Sequence, residues 1–119
     1  PTIGVFKEAF WGDTQVYIRG GMNGWGAVDM FEYQGEGVYT ADIELSAGSI
    51  EFKVASEDWS TVNLGNPNDA AINVVTPGEP KILGASNNNL MIEVAESGLY
   101  EFKVSGPDGN APTLTVTKK

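Results

Sequence analysis

The amino-acid sequence predicts an all-β fold, an antiparallel, immunoglobulin-like β-sandwich of seven to eight short strands. Apolar and polar residues alternate along several short runs, and this alternation has the period of a half-buried strand. Glycine, asparagine, aspartate and proline cluster between the runs, as expected for tight turns, and the chain has 15 glycines. No segment keeps the 3.6-residue period over the length that a helix needs.

The predicted strands follow one another in short steps. The first spans 15–19, and the second spans 38–45 after a glycine-flanked turn at 35–37. The third spans 50–55; because a short Ala-Gly turn separates it from the second, we expect these two strands to form a hairpin. Further strands are predicted at 71–75, 81–83, 90–94, 99–104 and 113–117, with a strong turn signal at 107–110.

The tetrapeptide Glu-Phe-Lys-Val occurs twice, at 51–54 and at 101–104. The flanking residues differ between the two copies, so we interpret them as two strands with similar burial and not as a duplicated domain. Only the first copy runs into a turn that carries a tryptophan.

Composition excludes several classes of function. Seven basic and 16 acidic residues give a net charge of -9, whereas a nucleic-acid-binding surface needs a basic patch. The chain has no cysteine and no histidine, which removes thiol chemistry, the usual zinc sites and Ser-His-Asp catalysis. No run approaches the ~18 apolar residues of a membrane span. We therefore expect a monomer with no cofactor, no nucleic-acid partner and no membrane insertion.

The length of 119 residues fits one domain. We interpret residues 1–14 as a linker stub or an edge strand packed on the domain, and residues 15–119 as the sandwich module. Trp11 belongs to the aromatic end of the first segment and is interpreted as structural. Because the sequence begins at Pro1 without a methionine, we expect a piece of a longer protein.

The candidate functional residues lie around the third predicted strand. Trp25 lies in a glycine-dense loop and Trp59 in a polar turn, outside any apolar alternation, so we expect both indoles to be exposed. Lys53 is expected to project from the polar face of the strand before Trp59, and Asn63 follows that turn. An indole packs on the C–H face of a pyranose ring, while an ammonium and a carboxamide bind its hydroxyls. These residues predict a sugar site; the alternative is that the tryptophans are core residues, because Trp is highly buried on average.

Catalytic and metal-binding interpretations have less support. Glu57 and Asp58 are adjacent carboxylates that should point apart in a turn, whereas a glycosidase needs two carboxylates about 5–10 Å apart across the scissile bond. The oxygen-rich segment 66–69 lacks the spacing of a calcium loop. We expect no catalytic residues and no metal site.

Four stretches in this order resemble starch-binding carbohydrate-binding modules. They read Val-Tyr-Ile-Arg-Gly-Gly-Met-Asn-Gly-Trp at 16–25, Gly-Val-Tyr-Thr at 37–40, Leu-Ser-Ala-Gly-Ser-Ile-Glu-Phe-Lys-Val at 45–54, and Asp-Trp at 58–59 followed by Asn63. The pattern is similar to the modules of families 20, 48 and 69 and to related modules of bacterial pullulanases and starch-utilisation surface lipoproteins. The resemblance covers residues 15 to about 63 well, and beyond that the strand pattern alone matches.

The resemblance implies a starch site on a β-sandwich, formed by Trp25, Lys53, Trp59 and Asn63. The two residues before Asn63 differ from the acidic or proline residues that relatives often carry there. Asp58, beside Trp59, is either a hydrogen-bonding partner of a glucose hydroxyl or a turn former.

The implied function is non-catalytic binding of α-1,4-glucan, namely starch, glycogen, malto-oligosaccharides or cyclodextrin. It would target a tethered bacterial amylase or pullulanase that is secreted or at the cell surface. The curved glucan chain suits two indoles set at an angle. Two alternatives stay open. One is a structural or docking domain of a glycoside hydrolase with little or no glycan binding, whose indoles would face the catalytic domain; the other is an adhesion domain without a sugar site.

Overall fold

Twelve strands are present in a computed structural model that describes residues 9–106 and 111–119. Eight of them overlap the eight predicted strands. Of the residues described, none belongs to a helix long and apolar enough to cross a membrane. The strands are β1 (Val16–Gly20), β2 (Asp29–Met30), β3 (Glu32–Gly35), β4 (Val38–Leu45), β5 (Gly48–Ser56), β6 (Asn63–Gly65), β7 (Val74–Val75), β8 (Lys81–Ile82), β9 (Gly84–Ala85), β10 (Leu90–Val94), β11 (Gly98–Ser105) and β12 (Thr113–Lys118).

The strands form two sheets, one of seven strands and one of five. The larger sheet has the order β2-β1-β5-β10-β7, with β6 paired to β5 and β9 paired to β6; the smaller has the order β3-β4-β11-β12-β8. Within the described residues β7 pairs with β10 in parallel and the other pairings are antiparallel. The predicted β-sandwich class is confirmed.

The core lies between the two sheets and is built from alternate residues of the long strands. Phe52 of β5 and Phe102 of β11 meet edge to face, with ring centroids 5.6 Å apart, and both are fully buried. Trp11 is 7% exposed and packs on Tyr39 and Phe31, so the structural interpretation of Trp11 is confirmed. The division into 1–14 and 15–119 stays a prediction, since residues 1–8 lie outside the described ranges.

The predicted hairpin between the second and third strands is wrong, because β4 and β5 belong to different sheets. Leu45 of β4 pairs with Gly98 of β11, and Gly48 of β5 pairs with Val94 of β10. The intervening chain crosses from one sheet to the other, and the Ala47 N–H donates to Ser97 Oγ at 2.9 Å. Both strands carry strong apolar faces, and the crossing places these faces against each other across the core, which a flat hairpin would not do.

Other differences concern short elements. The strand predicted at 71–75 is limited to β7, and the one at 81–83 is limited to β8. Four strands, β2, β3, β6 and β9, were not predicted; each has four residues or fewer. The predicted turn at 35–37 is confirmed and joins β3 to β4, with Glu36 at φ 54. The predicted turn at 107–110 lies outside the described residues.

Candidate functional site

The two candidate tryptophans lie beside each other. Trp25 follows β1 and Trp59 follows β5, and these strands are antiparallel neighbours in the larger sheet. The loop after β1 folds back, since the Trp25 N–H donates to Gly20 O at 2.9 Å. The indole centroids are 6.3 Å apart and the ring planes are inclined by 43°. Both side chains are half-buried, less exposed than expected because they pack against each other and Trp59 packs on Arg19. The pair is an angled, partly accessible aromatic surface.

The backbone at both tryptophans is unusual. Three non-glycine residues in the described ranges have positive φ, and two of them are Trp25 at 64° and Trp59 at 60°. Such a conformation costs a bulky residue on the order of 1–3 kcal/mol and persists where the surrounding contacts impose it, often at ligand-binding sites. The two indoles are therefore held in place at a cost to stability.

Arg19 connects the two tryptophan loops, a role that no local pattern in the sequence indicates. Its Cζ lies 3.8 Å from the centroid of the Trp59 ring, and its Nε donates to Trp25 O at 2.9 Å. Its Nη1 donates to Ser56 O at 3.0 Å and to Glu57 O at 2.8 Å. The alternation along β1 places Arg19 on the face opposite the buried core residues, but its partners follow only from the pairing of β1 with β5.

Lys53 lies on the face of β5 opposite the core residues Phe52 and Val54, as predicted, but this part of the face is covered, and the side chain is buried with 4% of its surface exposed. Its Nζ donates to Asn63 Oδ1 and to Ser86 O, and burial lowers the pKa of the ammonium. The physical reason is that Asn63 and Gly65 of the neighbouring strand β6 and Ser86, which follows β9, enclose the Lys53 side chain. The structure thus joins two of the candidate site residues, and Asn63 also donates from Nδ2 to Asn87 Oδ1 at 3.3 Å.

Asp58 builds the turn that carries Trp59. Its Oδ1 accepts hydrogen bonds from Ser56 Oγ at 2.5 Å and from the backbone N–H groups of Ser60 and Thr61 at 3.0 Å. Its Oδ2 accepts from Thr61 Oγ1 at 2.7 Å. The bond from Ser56, followed by those from Thr61 and Ser60, holds the pKa of the Asp58 carboxyl well below its usual range. Both carboxylate oxygens are therefore engaged within their own turn, which is the role of a turn former.

A wide groove of about 1010 Å³ begins beside Trp59. The sequence did not predict its polar wall, because the consecutive residues Asn87, Asn88 and Asn89 are typical of an ordinary turn, and the sequence does not show which surface such a turn lines. The wall is tied together across loops: Asn88 Nδ2 donates to Asn68 Oδ1 at 3.0 Å, and the Asn66 N–H donates to Asn88 O at 3.0 Å. Amide groups with both donor and acceptor capacity suit a ligand rich in hydroxyls. The groove's amide and hydroxyl side chains include those of Ser60, Asn63, Asn68, Ser86, Asn87 and Asn88.

The segment 66–69 forms turns. Asn66 is 5% exposed, and its Nδ2 donates to Ala70 O at 2.9 Å. Within residues 9–106 and 111–119, no group of three or more acidic side chains is placed to hold a metal ion.

No protein-family model matches the chain, and no curated protein matches it. Among solved structures, the ligand-induced structure of AmyP-SBD, a starch-binding domain, matches with a TM-score of 0.69. The match covers 89% of this chain and 72% of that chain at 22% sequence identity. This chain shares the fold of that starch-binding domain. The likeness of fold extends over most of the chain, beyond the residues 15–63 that carry the resemblance in sequence.

Proposed function

We propose that this domain binds α-1,4-glucan without cleaving it, and that the indoles of Trp25 and Trp59 form the binding surface. The observation that carries the proposal is the pair itself: two half-buried indoles inclined by 43° with centroids 6.3 Å apart. Successive glucose units of an α-1,4 chain turn relative to one another, so an angled pair fits them better than a flat platform would. The shared fold with AmyP-SBD supports the same function.

The polar groups beside Trp59 would bind the hydroxyls at the edge of the sugar ring. Asn63 and Asn87 line the groove that begins at Trp59, and each offers an amide donor and acceptor. Lys53 would act mainly through Asn63, because its ammonium is buried and donates to the Asn63 carbonyl oxygen. Asp58 would act by shaping the turn.

The role we propose for such binding is targeting. A domain tethered to an amylase or pullulanase raises the local concentration of glucan at the catalytic domain, and such an enzyme would work outside the cell or at its surface. The domain itself would be non-catalytic: Glu57 and Asp58 are neighbours in a turn that the Asp58 carboxylate holds together, and this is not the arrangement of two carboxylates that face each other across a scissile bond.

Isothermal titration of the domain with maltoheptaose, β-cyclodextrin and cellohexaose tests the proposal. We expect dissociation constants in the micromolar to millimolar range, about -8 to -4 kcal/mol, for the two α-1,4 ligands and no heat with the β-1,4 ligand. Trp25→Ala and Trp59→Ala should each abolish measurable binding. Ile82→Ala is the matched control, since Ile82 is 60% exposed on a strand of the other sheet; it should bind as the wild type does.

A folded wild-type domain that binds none of these glucans would overturn the proposal and favour a docking domain of a glycoside hydrolase. That alternative has one observation in its support. Val28, just before β2, is 69% exposed, and Met30, in β2, is 39% exposed. Both residues follow the Trp25 loop closely in sequence. An apolar surface of this kind is typical of a contact with another domain.

A further inference from the structure

We infer that Arg19 is the positioning residue of the indole pair: it sets the angle between Trp25 and Trp59 and thereby the affinity of the site. The statement about affinity rests on the proposed function; the statement about geometry does not. Arg19 does not need to touch a sugar for this role.

The contacts of Arg19 divide between the two tryptophan loops. One guanidinium nitrogen, Nε, bonds the carbonyl of Trp25 itself. Another, Nη1, bonds the carbonyls of Ser56 and Glu57, where β5 ends and the Trp59 turn begins. The guanidinium plane also supports the Trp59 ring, with Cζ 3.8 Å from its centroid. A single rigid group thus fixes both loops relative to each other.

The electrostatics of Arg19 indicate that geometry is what it supplies. The Arg19 side chain is 8% exposed and has no acidic partner among the residues that the structure describes. The one ion pair in that part of the chain joins Lys119 to Asp42 of β4. The Arg19 guanidinium instead donates hydrogen bonds to three backbone carbonyls and stacks on the Trp59 ring. Burying a charge without a counter-ion is costly, so an apolar residue would serve a purely structural role here at lower cost.

Only arginine suits this set of partners. Its guanidinium is planar and carries five donors in a fixed fork, and it stacks on aromatic faces, whereas the lysine ammonium is a compact point charge. The chain has both types side by side, since Arg19 of β1 lies opposite Lys53 of β5 in the register of the two strands. Lys53 bonds Asn63 and Ser86, which line the groove beside Trp59, whereas Arg19 bonds the two tryptophan loops, so the two cations hold different parts of the site.

The test compares Arg19→Met and Arg19→Lys with the wild type by two readouts. Far-ultraviolet circular dichroism detects the exciton couplet expected of two indoles 6.3 Å apart, and its loss in Trp25→Phe identifies it. Calorimetry with β-cyclodextrin measures affinity. We expect Arg19→Met to lose the couplet and to bind at least about tenfold more weakly. Arg19→Lys keeps the charge but not the fork, so we expect a reduced couplet and weakened binding.

Val116→Ala is the control for lost stability, because it opens a cavity in the smaller sheet, where Val116 is fully buried. It should lower the melting temperature while keeping the couplet and the affinity. The inference is overturned if Arg19→Met keeps both, if Arg19→Lys behaves as the wild type, if Val116→Ala loses affinity equally, or if the wild type shows no couplet. Should the wild type bind no glucan, the proposed function fails, and the couplet still decides the role of Arg19.

Discussion

Lys53→Met is the substitution that best tests whether Lys53 is an internal anchor. Methionine keeps an unbranched chain of similar length and removes the ammonium, which donates to Asn63 Oδ1 and Ser86 O. Hydrogen bonds from a charged group contribute about 1.5–3 kcal/mol each, so the gross loss is about 3–6 kcal/mol. The substitution also removes the cost of burying the charge, which offsets part of that loss. We expect the free energy of unfolding to fall by about 2 kcal/mol, or the melting temperature by roughly 8 °C for a domain of this size.

The repeated tetrapeptide provides the matched control. Lys103 has the same neighbours in sequence as Lys53 but is exposed on β11, so Lys103→Met should change stability by less than about 0.5 kcal/mol. Urea denaturation followed by tryptophan fluorescence measures both variants. Equal effects of the two substitutions would refute the anchoring role.

The burial of Lys53 also predicts a dependence on pH. Burial lowers the pKa of Lys53 below its ordinary value of 10.5, so between the two values the unfolded chain binds more protons than the folded one. Stability contributed by this group therefore rises with pH in that window. The difference in stability between wild type and Lys53→Met should grow as the pH approaches 10.5 from below. A difference that stays constant or shrinks over this range would contradict the assignment.

Three further predictions concern the loops and the strand that support the site. Because φ at Trp59 is positive, Trp59→Gly should be more stable than Trp59→Ala by about 1 kcal/mol, the reverse of the usual order, as a comparison of thermal melts would show. Asp58→Asn should lower stability at neutral pH. Since the pKa of Asp58 is depressed in the folded state, this difference should start to shrink as the pH falls below about 4, the pKa of an unperturbed carboxyl, and should be lost only as the pH falls through the depressed folded-state pKa; a difference that stays constant from about pH 6 to pH 2 would count against the role of the carboxylate. Gly20→Ala places a Cβ 2.4 Å from Glu51 O and should destabilise by about 3 kcal/mol, whereas Gly21→Ala, whose Cβ meets its nearest atom at 3.6 Å, should be tolerated far better in the same urea assay.

The fold class follows from the sequence because alternation and turn residues are local signals. Where apolar residues alternate cleanly, as in β4 and β10, the predicted and observed bounds coincide. The crossing between β4 and β5 could not be predicted in the same way. A short Ala-Gly link serves a hairpin and a crossing equally well, and the outcome depends on whether Leu45 pairs with β11, as it does here, or with β5. Which pairing forms is decided by how the two sheets pack against each other, and this is not a local property of the sequence.

The candidate site was predictable only in part, for the same reason. Trp25 and Trp59 could be selected because each lies in a polar or glycine-rich loop. The role of Arg19 depends on the register of β1 with β5, and the burial of Lys53 depends on distant residues such as Ser86. Neither the partners of Arg19 nor the burial of Lys53 can be predicted from the residues next to them in the sequence.

The two copies of Glu-Phe-Lys-Val show how the same residues acquire different roles. Their phenylalanines do the same work, since Phe52 and Phe102 meet across the core. Their lysines differ because loops cover the outer face of β5, where Lys53 is buried, while Lys103 on β11 is exposed. Loops that carry function are held at some cost, and here the strained backbone of Trp25 and Trp59 lies on the same side of the larger sheet as the buried cations that tie down their surroundings. A fold built for stability alone would relax these features, so their coexistence around Arg19 supports the proposal that this surface binds a ligand.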